Sequence, residues 1–302
     1  MKGWNMSRYR IPAIILSIFF MVCFFVSVNA AVREAKDIKI VASFYPMYIM
    51  AKNVAKDVPG VSVQNLTPPL TGCLHDYMIT TADMKKLVDA QVFVANGAGM
   101  ESFLNRITAQ YPNLKIVELS EGIPLIKAGP EGYNPHVWVS VSDAITEVQN
   151  LGKAMEEIDP VHKDLYKKNT DIYVAKLDDL RQNMHSQLAS YKGASIITFH
   201  EAFPYFAREF DLKVAAVVER EPGAQPSAKE LADTIDLIKR NNTLLLFSEP
   251  QYPAAAADMI AQETGAKVYV LDPAVTGPDD YDAYIDIMKN NLAVLEAALN
   301  KQ

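Results

Sequence analysis

From Ile38 onward, short β-branched runs alternate with amphipathic helical patterns, and this rhythm constrains the fold more than any other feature of the chain. Strands are predicted at Ile38–Ser43, Val61–Leu66, Val92–Ala95 and Leu114–Glu118. Helical patterns fall between them, around Met47–Lys56, Ala82–Asp89 and Glu101–Tyr111. Strands separated by helices of this length form βαβ units, and so a parallel sheet. The rhythm stops between Asp143 and Tyr191, where no convincing strand occurs. In the second half of that stretch Ile172, Tyr173, Leu177, Leu180, Met184 and Leu188 recur at helical spacing. Asp159-Pro160 reads as an N-cap and first turn. A single helix over Pro160–Tyr191 is expected, well above the average length. After Gly193 the alternation resumes, with strands at Ser195–Phe199, Val214–Val218, Leu244–Phe247 and Val268–Leu271. The accompanying helices lie around Ala202–Phe210, Ala228–Lys239, Ala254–Glu263 and Tyr281–Ala298.

The fold class expected is therefore α/β, with two lobes, each a parallel β-sheet flanked by helices, joined by one long rigid α-helix. The expected division is a signal peptide over 1–30, an N-terminal α/β lobe over 31–159, a linking helix over 160–191 and a C-terminal α/β lobe over 192–302. A flexible linker would be rich in Gly, Ser or Pro; a helical one restricts lobe motion.

The N-terminus supplies the compartment. Lys2, Arg8 and Arg10 precede an almost wholly apolar run from Ile11 to Val28, and Val28-Asn29-Ala30 places small residues where a signal peptidase cuts. An uncleaved anchor is the competing reading, because the run is almost long enough to span a bilayer. Cleavage after Ala30 is preferred, and export to the periplasm follows. Phe20-Met21-Val22-Cys23 is not a lipobox, so no lipid anchor is expected. Losing three basic residues from a net charge of −7 leaves −10, and no basic footprint for nucleic acid exists. Cys73 is then the one remaining cysteine, so no internal disulfide forms and packing must carry stability.

Histidine placement carries the chemistry. The chain holds only five. His75 follows the second predicted strand, His136 precedes a helical stretch, and His200 directly follows Ser195–Phe199. Asp272 directly follows Val268–Leu271. Ligands in open parallel sheets bind beyond the carboxyl ends of strands, and small-ligand sites favour clefts between lobes. Three imidazoles and one carboxylate suit tetrahedral Zn²⁺, and nitrogen donors disfavour Mn²⁺ and Mg²⁺.

Each remaining candidate has a plainer reading. One histidine at a strand end is more often a hydrogen-bonded structural residue; three at comparable positions reverse that balance. His162 and His185, on the long helix, are expected to be solvated. Glu249 follows a strand, as a further ligand, a hydrogen-bond acceptor near the metal or a helix cap. Asp76 and Glu201 are expected to hold loops. Cys73 reaches a metal only if its loop curls, and a spectator thiol is the simpler expectation. Trp138 is expected as core beneath the His136 loop. A secreted zinc hydrolase lacks support, since no His-Glu-x-x-His pattern or nucleophile elbow appears. An adhesin leaves the ligand set unexplained.

Taken in order, Ser43-Phe44-Tyr45-Pro46, His75-Asp76-Tyr77, Asn134-Pro135-His136-Val137-Trp138, Thr198-Phe199-His200-Glu201-Ala202-Phe203, Glu249-Pro250-Gln251-Tyr252 and Leu271-Asp272-Pro273 resemble the zinc and manganese receptors of ABC metal importers. The resemblance spans nearly the whole exported chain. It implies two lobes on a rigid helix, a metal between them held by His75, His136, His200 and Asp272, an ABC permease as partner, and no catalysis. A monomer is expected. Three departures stand out: Asn134 where the family usually has Asp, Cys73-Leu74 ahead of the first ligand, and a short Ser120–Tyr133 without the histidine-rich insertion of many zinc members. His200 stands where manganese members tend to carry Glu. Zn²⁺ is therefore expected, with Mn²⁺ or mixed use as the alternative.

Overall fold

A computed structural model describes residues 37–68, 71, 73–74, 77–128, 132–218, 227–241, 245–251 and 255–300. The expected signal peptide over 1–30, His75, Asp76 and Tyr252 lie outside the described residues.

The first half places β1 (Ile38–Ala42), α1 (Tyr45–Val54), β2 (Val61–Asn65), α2 (Thr81–Lys86), β3 (Val92–Ala95), α3 (Leu104–Gln110) and β4 (Lys115–Glu118) in that order. A two-stranded antiparallel pair follows, β5 (Lys127–Ala128) with β6 (Gly132–Tyr133). After two helices come β7 (Ser195–Thr198), α6 (Pro204–Glu209), β8 (Lys213–Val217), α7 (Ala228–Asn241), β9 (Leu245–Ser248), α8 (Ala255–Thr264), β10 (Lys267–Val270) and α9 (Ala283–Leu299). Among the described residues two parallel four-stranded sheets form, in the orders β2-β1-β3-β4 and β10-β9-β7-β8. Read from its other edge, the second order repeats the first. In each sheet the first strand lies between the second and third, and there the crevice beyond the strand ends opens. Buried on both faces, β3 (Val-Phe-Val-Ala) and β9 (Leu-Leu-Phe-Ser) read as continuous apolar runs, as parallel strands do.

Between the sheets stand α4 (Val141–Ile158) and α5 (Lys163–Leu188). The buried side of α5 is Tyr166, Thr170, Tyr173, Leu177, Leu180, Met184 and Leu188, steps of three or four that keep one stripe on one face. Each apolar member removed from water contributes about 1.5–3 kcal/mol. The stripe packs on α4, α1 and α9. Gly152 of α4 allows the closest approach, because a Cβ there would sit 2.2 Å from Thr170 Oγ1.

The long helix starts at Lys163, not Pro160, and ends at Leu188 with a 3₁₀ turn over Ala189–Tyr191. Asp159 terminates α4 instead of capping α5. Its carboxylate accepts from His162 Nδ1 at 2.7 Å and from Tyr166 Oη at 3.1 Å, turning the chain between the two helices. His162 is therefore half-buried and partnered, not solvated as expected. Among the described residues no helix is long and apolar enough to cross a membrane.

Candidate metal centre

His136 sits behind Pro135 at the entrance to a 3₁₀ turn, Val137–Val139, and is 1% exposed. Asn134 fixes it. The Asn134 Oδ1 lies 3.0 Å from the His136 amide nitrogen and 3.1 Å from its Nδ1. An amide oxygen only accepts, so Nδ1 carries the proton and Nε2 keeps its lone pair. Asn134 is itself held, with Nδ2 donating to the Glu201 carbonyl at 2.7 Å and its own carbonyl accepting from Tyr205 Oη at 2.6 Å. The Glu201 main-chain carbonyl thus ties its loop to Asn134. Trp138 is fully buried, stacks edge-on against Phe44 and lies 5.3 Å from the His136 ring, the core position expected of it.

His200 lies two residues beyond β7 and is also 1% exposed. Its ring meets that of His136 edge to face, with centroids 4.7 Å apart. Glu249 follows β9, the strand beside β7, and both its oxygens approach His200 Nδ1, at 3.2 and 3.3 Å. Burial pushes the Glu249 carboxyl above its ordinary range, and the His200 contact opposes that shift. Glu249 is thus placed as a hydrogen-bond acceptor for His200 Nδ1.

A second clamp sets the two histidine segments against each other. Glu209, at the end of α6, accepts from Ser140 Oγ at 2.7 Å, Ser142 Oγ at 2.6 Å and the Ser142 amide at 3.2 Å. It therefore sits on the N-terminal turn of α4, where a carboxylate is favoured. One carboxylate links the helix that follows His136 to the helix that follows His200. His185 Nε2 approaches the same Glu209 at 3.2 Å, and its side chain stays about half exposed.

Cys73 is the unexpected neighbour. Its Sγ, one nitrogen of His136 and one of His200 all lie within 4.8 Å of one another. Ligand atoms around tetrahedral zinc are spaced about 3.3–3.8 Å, given metal–donor bonds of about 2.0–2.3 Å. The three atoms are thus within a small adjustment of a coordination face. Burial, with the Glu249 charge nearby, pushes the Cys73 thiol well above its ordinary value. No pattern in the sequence announces this convergence, since it depends on how the loop after β2 curls.

Asp272 is not one of that trio. Its Oδ1 accepts from the Ala274 amide at 2.8 Å, an Asx turn that accommodates Ala274 at a left-handed φ of 58°. Fully buried Asn291 grips the Asp272 main chain on both sides, accepting from its amide at 2.9 Å and donating to its carbonyl at 2.7 Å. Burial raises the Asp272 carboxyl, while Ala274 N and Gln251 lower it. Two half- to fully buried carboxyls beside two imidazoles and a thiol make an environment relieved by a cation.

Similarity to known proteins identifies the family. Residues 40–298 match the profile of the family described as ZnuA, zinc-uptake complex component A, periplasmic. The chain belongs to that family. A high-affinity zinc uptake system protein ZnuA of Bacillus subtilis (strain 168) is 31% identical over 90% of this chain and 92% of its own length. The zinc-binding lipoprotein AdcA of Streptococcus pneumoniae is 28% identical over 88% of this chain, which spans only 56% of that relative. Among solved structures, the binding protein FpvC of Pseudomonas aeruginosa in complex with Mn²⁺ superposes with a TM-score of 0.80. It is 30% identical, covering 88% of this chain and 99% of that one. The two parallel sheets and the long helix between them are the architecture of this family of solute-binding proteins.

Proposed function

We propose that the chain is an exported, periplasmic receptor that captures Zn²⁺ and delivers it to the membrane permease of an ABC-type importer, without catalysing a reaction. The observation that carries this reading is the buried meeting of His136 and His200, from the loop before α4 and the end of β7, in a chain of the zinc-uptake family. His75 and Asp272 are the further ligands proposed on sequence grounds. The ion then sits between a lobe of 31–159 and a lobe of 192–302, in a monomer whose leader is removed after Ala30. Mn²⁺ is the second reading, favoured by the structural relative described with that ion.

Metal analysis of the protein taken from its native compartment tests the choice of ion, with about one zinc per chain expected. Zinc must also raise the melting temperature. At 100 times the dissociation constant the stabilisation is about 2.7 kcal/mol. Melting unchanged by both chelator and zinc contradicts the receptor reading.

A further inference from the structure

Resting on that receptor reading, we propose that Cys73 is itself a ligand of the captured ion, so the site offers sulfur as well as nitrogen. The sequence places Asp272 in the ligand set; the geometry puts Cys73 in its place beside His136 and His200. Three side chains converge from three separate segments, the loop after β2, the turn before α4 and the end of β7. A spectator thiol has no reason to face two imidazole nitrogens. Cys73 packs its side chain against the main apolar core, yet its Sγ turns to both nitrogens. Asp272, by contrast, has one oxygen committed to the Ala274 amide and stands outside the converging group. Its carboxylate then acts as nearby negative charge.

The consequence is a narrower substrate class. Thiolate selects borderline and soft ions such as Zn²⁺, Cd²⁺ and Cu⁺, whereas carboxylate and water suit Mn²⁺, which stands lowest in the affinity order of the divalent first-row ions. Coordination replaces the S–H bond with a sulfur–metal bond, and the proton leaves to solvent. Cys73 is thus the residue that separates zinc from manganese in this chain.

The test uses the full chain, reduced and free of air, titrated with Co²⁺ as an optical substitute for Zn²⁺. Wild type is expected to bind one Co²⁺ with visible bands of tetrahedral strength and a near-ultraviolet sulfur-to-cobalt charge-transfer band. Cys73→Ser is expected to keep cobalt binding and lose the charge-transfer band. Its preference for Zn²⁺ over Mn²⁺ is expected to fall by at least the roughly 10–100-fold that loss of an outer hydrogen-bond partner costs a metal site. A second reading needs no variant: one equivalent of Zn²⁺ should protect the Cys73 peptide of wild type from iodoacetamide. One Co²⁺ bound without the charge-transfer band, or alkylation unaffected by bound Zn²⁺, overturns the thiol ligand and leaves the receptor standing. Failure of wild type to bind Co²⁺ or Zn²⁺ at all overturns both.

Discussion

The Trp138 indole Nε1 donates to the carbonyl of Pro273 at 2.7 Å, joining the turn that bears His136 to the loop that bears Asp272. Tyr284 of α9 completes the link by donating to the Trp138 carbonyl at 2.7 Å. Both rings are buried, so the bonds form away from water and leave unmatched groups when broken. Trp138→Phe keeps the aromatic packing against Phe44 and removes only the donor. It should lower unfolding free energy by about 1–3 kcal/mol and weaken zinc capture, measured by urea denaturation and chelator competition on the same preparation.

Asn134 gives a cleaner probe of ligand orientation. Asn134→Ala removes the acceptor that holds His136 Nδ1–H, and zinc affinity should fall about 10–100-fold. Asn134→Asp restores that acceptor and should return affinity close to wild type. Equal loss in both variants would mean the amide acts through Glu201 instead of through the ring.

Packing between the two central helices supplies a third prediction. Gly152→Ala adds a Cβ that would sit 2.2 Å from Thr170 Oγ1, so α4 and α5 must move apart. Overpacking of this kind costs about 1–3 kcal/mol, against a helix-propensity gain of at most about 1 kcal/mol. The net effect should be a lower urea midpoint with an unchanged slope.

A fourth concerns pH. Glu147 of α4 is fully buried, and among the described residues neither of its carboxyl oxygens meets a hydrogen-bond partner. Burial first, then the charges of Asp143 and Glu101, push its carboxyl well above the ordinary value of 4.5. The folded chain therefore holds a proton that the unfolded chain releases. Its stability contribution is intact below pH 4.5 and declines as pH rises toward the folded-state value. Glu147→Met should stabilise the protein by about 1–3 kcal/mol at neutral pH, with the gain shrinking as pH falls to 4. A gain independent of pH would mean the carboxyl is not held protonated.

Much of this architecture was legible in the residues, for identifiable reasons. Parallel strands such as Val92–Ala95 are buried on both faces, so they stand out as apolar runs, and most observed strand ends differ from expectation by one residue. Helix α4 is legible only as a helical stretch after His136, without bounds, and β5–β6 is too short for any periodicity to register. The start of α5 was misplaced because Asp-Pro resembles an N-terminus. Only the structure shows that the Asp159 carboxylate turns back to His162 and Tyr166. The meeting of the His136 and His200 rings is legible in their places at strand and helix ends. The approach of Cys73 is not, because loop curvature leaves no trace in composition or spacing.

One titration bears most directly on the central claim. Wild type, His136→Ala, His200→Ala and His185→Ala, each as the full chain, are titrated with Zn²⁺ against a competing chelator. Wild type should bind one ion, and loss of either ligand histidine should cost more than the roughly 10–100-fold of an outer hydrogen-bond partner. His185→Ala, whose ring reaches the site only through a half-exposed contact with Glu209, should stay close to wild type. If His185→Ala weakens binding as much as His200→Ala, or if wild type binds no zinc, the site is not the one formed by His136 and His200.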